Sequence, residues 1–105
     1  MSRKKQRASV LTPVGRTPEG HTVLHGVYTF FETYGLPLSD LLSLRWERGA
    51  LPDWPRLVND MATAGRPFPR CVEAVCAAVS DACYPTEIRD RVMARIQAME
   101  APDNE

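Results

Sequence analysis

Residues 17–35 read TPEGHTVLHGVYTFFETYG, and the reading of this stretch decides the fold. Thr17 followed by Pro18 fits a helix N-cap with proline in the first turn. Gly35 fits a helix stop. Between them Val23, Leu24, Val27, Tyr28, Phe30, Phe31 and Tyr34 spread over about 160° of a helical wheel, wider than the stripe of a surface helix. The stretch therefore predicts one central helix from Thr17 to Tyr34.

Working outward, proline and glycine punctuate the chain at helix-like intervals. Pro37 opens a second helix that runs to Arg48, with Gly49 just beyond and Leu38, Leu41, Leu42 and Trp46 on its buried face. Asp53 caps a third, which ends before Gly65. Its residues Trp54, Leu57, Val58, Met61 and Ala62 follow the i, i+3, i+4, i+7, i+8 spacing of an amphipathic helix. Beyond the stiff connector Arg66 to Pro69, a fourth helix covers 69–83 with Val72, Val75, Val79 and Ala82 inward. Tyr84-Pro85 breaks it. Thr86 then caps a fifth over 87–100, with Ile88, Val92, Ile96 and Met99 as its stripe. No segment shows strand alternation together with hairpin turn residues. The sequence predicts an all-α fold, a compact bundle of four to five short helices arranged around the first and fourth, with an extended basic N-terminal arm.

Charge separates arm from body. Residues 1–20 carry Arg3, Lys4, Lys5, Arg7 and Arg16 against Glu19 alone, a net of +4; residues 21–105 carry eight Arg against twelve Asp or Glu, a net of −4. The expected organisation is a basic arm over 1–16, a single helical domain over 17–101 and an acidic tail over 102–105. The boundary at Thr17 implies that truncation there leaves the body folded. A chain of 105 residues suffices for one domain with a modest core.

Cys71, Cys76 and Cys83 fall in one predicted helix, where no pair has the geometry of a disulfide. Buried thiols in a reducing compartment are the reading, and a cytoplasmic location follows from it. No apolar run approaches the ~20 residues that span a bilayer, so no membrane partner is expected.

His21 and His25, four apart on the predicted first helix, have the spacing of a shared metal pair. Glu32 would lie about 10 Å along the axis, too far to be the third ligand. No metal or other cofactor is expected. The cysteines lie in apolar helical surroundings without a neighbouring base, and no glycine-rich phosphate loop or paired carboxylate stands out. The expectation is that the chain is not an enzyme.

Two binding readings remain. Arg45, Trp46, Arg48, Trp54 and Arg56 lie within twelve residues and include both tryptophans of the chain. Trp and Arg dominate interface energetics, so this corner is the candidate protein-binding site; the competing reading places both rings in the core where two helices meet. The corner predicts a non-enzymatic interaction module that binds a larger protein: an adaptor, inhibitor or assembly component, of the kind common among accessory proteins of phages and mobile elements. The alternative is a nucleic-acid-binding regulator anchored by Arg3, Lys4, Lys5 and Arg7. Its best reading unit is a helix-turn-helix formed by the second and third helices, exposing Arg56, Asn59, Asp60 and Thr63. The apolar width of the first helix also allows a homodimer.

Overall fold

A computed structural model describes residues 11–99 of the chain. Within it the run from Thr17 to Tyr34 is not one helix. Residues Thr22–His25 form an extended strand, β2, and the helix α1 begins only at Val27 and ends at Tyr34. Gly26 separates them, with φ 87° and ψ 6°. This left-handed conformation is one that glycine adopts without cost and that no residue inside a right-handed helix can hold. Thr22 and Val23 are β-branched and suit the extended conformation.

β2 is the middle strand of a sheet ordered β1-β2-β3. β1, Thr12–Arg16, pairs with it antiparallel through a hairpin, with a shift of register between Pro13 and Gly15. The Gly20 amide donates to the Thr17 carbonyl at 2.9 Å and the Thr17 amide to the His21 carbonyl at 2.8 Å, closing the turn. β3, Ala50–Pro52, runs parallel to β2, with Thr22 opposite Ala50, Val23 opposite Leu51 and Leu24 opposite Pro52. Pro52, which has no N–H to donate, is tolerated because β3 is an edge strand.

The expected all-α bundle is thus corrected. Among the described residues there are five helices and a three-stranded mixed sheet, an α/β arrangement. Residues 12–16, assigned to the arm, are the first strand of that sheet. The first helix is not central either: it is eight residues long, packs mainly on the third helix, and leaves Tyr34 exposed.

The other helices lie close to expectation. They are α2, Leu38–Glu47; α3, Trp54–Thr63; α4, Phe68–Asp81; and α5, Thr86–Gln97. Asp53 caps α3 as anticipated, its Oδ1 accepting from the Arg56 amide at 3.3 Å. Thr86 is the first residue of α5 rather than its cap, a position held by Pro85. α4 packs on α2, α3 and α5 and supplies the middle of the core. Leu41, Leu42, Leu57, Met61, Val75 and Ile96 are essentially inaccessible. No helix among the described residues is long and apolar enough to cross a membrane.

Candidate functional site

The hairpin creates a surface that no single element has. Its turn, Thr17 to His21, stands over the β2/β3 pair and faces α5 across a cleft of about 530 Å³. One wall is the sheet face carrying Val23 and Leu51, which are partners in register. The opposite wall is α5, which contributes Ile88, Arg91, Val92 and Arg95. Pro52, Asp53 and Trp54 line it as well.

The rim is ionic. Arg91 Nη1 donates to Glu19 Oε2 at 2.8 Å, joining the hairpin turn to α5 across 72 positions of sequence. The Glu19 carboxyl is held below its ordinary value first by its own backbone N–H, which outweighs the opposing effect of desolvation, and further by the Thr17 hydroxyl, Arg91 and His21. The side chain of Arg95, one turn along α5, has no ion pair or hydrogen bond among the described residues.

Behind the cleft lies an aromatic cluster. Trp46 packs on His21, at 4.7 Å between ring centroids, and nearly perpendicular to Tyr84 at 5.5 Å; Trp54 also lies nearly perpendicular to Tyr84, at 6.4 Å. Tyr84 is buried and its hydroxyl has no hydrogen-bond partner among the described residues. Burial pushes its phenol well above the ordinary tyrosine value.

At the carboxyl ends of the parallel strands, His25 Nε2 lies 2.8 Å from Asp53 Oδ2, and Arg56 Nη1 lies 3.3 Å from His25 Nδ1. Arginine offers only donors, so Nδ1 accepts and Nε2–H donates to the carboxylate. Arg56 Nε also bonds Asp60 at 3.1 Å. Both imidazole nitrogens are thus engaged within this cluster. His21 and His25 stand on an extended segment, about 13 Å apart, so their helical metal spacing does not exist. No group of three or more His, Cys, Asp or Glu among the described residues could hold a metal ion. Of the thiols, Cys71 is buried, Cys76 is partly buried and Cys83 lies exposed beyond the end of α4. Desolvation pushes the first two above the usual thiol value.

The sequence-derived corner is brought together in part, its two tryptophans meeting on Tyr84. Trp54, at 5% exposure, belongs to the core and backs the cleft; Trp46 is half-buried behind His21. Arg45 is half-buried with its Nε unpartnered, Arg48 caps α2 at the surface, and Arg56 is tied to His25 and Asp60. The helix-turn-helix reading fails on connectivity, because Gly49–Asp53 contains β3 rather than a tight turn. Arg3, Lys4, Lys5 and Arg7 lie outside the described residues. Sequence reasoning missed Glu19, Arg91 and Arg95. The one available signal was Arg91 and Arg95 flanking the Ile88–Val92 stripe at helical spacing. Comparison with protein-family models, with curated proteins and with solved structures finds no match.

Proposed function

We propose that the chain is a small non-enzymatic binding module, an adaptor, inhibitor or assembly component, which takes a segment of a larger protein into the cleft between the hairpin turn and α5. The observation that supports this reading is the pairing of an apolar floor with an exposed ionic rim. Half-buried Val23 and Ile88 present apolar surface over the core residues Leu51 and Val92, while Glu19, Arg91 and Arg95 stand at the surface. Apolar contact at the centre with charge at the edge is the usual anatomy of a protein interface. The two tryptophans keep a role in it, as the rigid backing of the site rather than as anchors inserted into the partner.

The test is capture by the tagged full chain from its native cell, compared between wild type, the double variant Arg91→Glu with Arg95→Glu, and Arg70→Glu as a control at an exposed position of α4 outside the cleft lining. A discrete protein should be captured by wild type and the control and lost from the double variant. Equal capture by all three removes the cleft from the reading. Captured material that disappears on nuclease treatment instead favours the nucleic-acid regulator anchored by the arm.

A further inference from the structure

We infer that the segment received by the cleft is an extended acidic stretch of the partner protein, with an apolar side chain between two carboxylates, and that Glu19 is a built-in competitor for it. The inference rests on the binding reading above and specifies its ligand.

The first support is that the site already holds a carboxylate. Glu19 reaches from the tip of the hairpin to Arg91, with both side chains about half exposed. Such a surface pair adds little to folding, because water and salt screen it. It is therefore cheaply exchanged for an equivalent carboxylate from outside. Glu19 engages Arg91 through a single nitrogen, Nη1, which leaves the rest of the guanidinium fork for a second acceptor.

The second support is spacing. Arg91 and Arg95 are one helical turn apart, which places their Cβ atoms about 5–6 Å from each other. Alternate side chains of an extended peptide recur about 6.6–7 Å apart on the same side. Acids at positions i and i+2 therefore match the two arginines on the α5 wall. The residue between them points the other way, toward Val23 and Leu51 on the sheet wall. The remaining charged group of the lining, Asp53, bonds His25 and the Arg56 amide and neither of the two guanidiniums, so with Glu19 displaced the lining carries two arginines against one carboxylate.

The experiment titrates the isotopically labelled full chain by NMR with an acetylated, amidated peptide carrying ELE, and with its QLQ counterpart. ELE should shift the backbone amides of the hairpin turn, of Val23 and Leu51, and of residues 88–95. QLQ should bind at least about tenfold more weakly, since each lost charge-assisted contact is worth up to about that factor. Glu19→Gln, which removes the internal competitor, should tighten ELE binding by about two- to fivefold, the range that exposed ion pairs span. Arg91→Ala with Arg95→Ala should weaken it at least as much as the change to QLQ does. Equal binding of ELE and QLQ to wild type, no binding of ELE, or weaker binding by the Glu19→Gln chain each overturn the inference. If the cleft variant loses its cellular partner while ELE fails to bind, the acidic ligand is wrong and the binding cleft stands. If capture is also unaffected, both fall.

Discussion

A methyl group added at Gly26 reports on the whole N-terminal third of the fold. With φ at 87°, an alanine there would sit in a left-handed conformation that costs roughly 1–2 kcal/mol. Were residues 17–34 a continuous helix, the same substitution would instead add about 1 kcal/mol of stability through helix propensity. Urea unfolding of Gly26→Ala should therefore show a loss, and a gain would rule out the strand–glycine–helix arrangement. Asp53 shows how much one residue can organise at this end of the sheet. Its amide donates to the Leu24 carbonyl, one carboxylate oxygen caps α3, and the other accepts from His25. The cap was readable from an aspartate placed before an apolar periodic run; its partner His25 was not, since the two meet only when β2 and β3 lie side by side.

At the scale of elements, β1 is the strand whose removal separates two views of the N-terminus. A chain begun at Thr17 leaves β2 with no antiparallel partner and the hairpin turn with no incoming strand. It should unfold at lower urea than a chain begun at Leu11, by roughly 1–3 kcal/mol, the net worth of a few ladder hydrogen bonds. Identical midpoints would mean that the fold begins at Thr17 after all. The helices α2 to α5 were legible because each repeats apolar residues at a helical period between proline or glycine stops. The strands were not. β2 spans four residues, too few for alternation to stand out, and it runs through Gly26 into the apolar face of α1. Gly26, inside the proposed helix, was the available warning. β3 is Ala50, Leu51 and Pro52, which reads as a loop because proline is rare in strands. With the sheet hidden, the cleft was hidden too: Trp54 could be placed in a core by its spacing, but Glu19 could not be placed opposite Arg91.

For the whole molecule, the titrating groups set the edges of stability. Tyr84 is raised by burial, and Tyr28 is raised chiefly by donating its hydroxyl to Glu32 at 2.7 Å. Both phenols stay protonated in the folded chain at pH values where the unfolded chain has begun to ionise them. Stability should therefore be insensitive to them below pH 10.0, the ordinary tyrosine value, and fall as pH rises beyond it. Tyr84→Phe should remove a part of the loss between pH 8 and pH 11, to which Tyr28 and the desolvated thiols of Cys71 and Cys76 also contribute. The substitution should also add about 1 kcal/mol at neutral pH, because the hydroxyl it deletes is buried without a partner. Urea unfolding at pH 8 and pH 11 measures both, and an unchanged alkaline loss in the variant would contradict the assignment. One feature of the sheet governs how this molecule comes together in time. β1 and β2 are joined by a short turn and can zip locally, whereas Thr22 must find Ala50 only after α1 and α2 have been laid between them. By loop length the hairpin costs least to close, the meeting of β2 with β3 more, and the seating of α5 most, since Arg91 meets Glu19 across 72 positions. Since the cleft is lined by the hairpin turn, the parallel pair and α5 together, it has both walls only once the most distant of these contacts has formed.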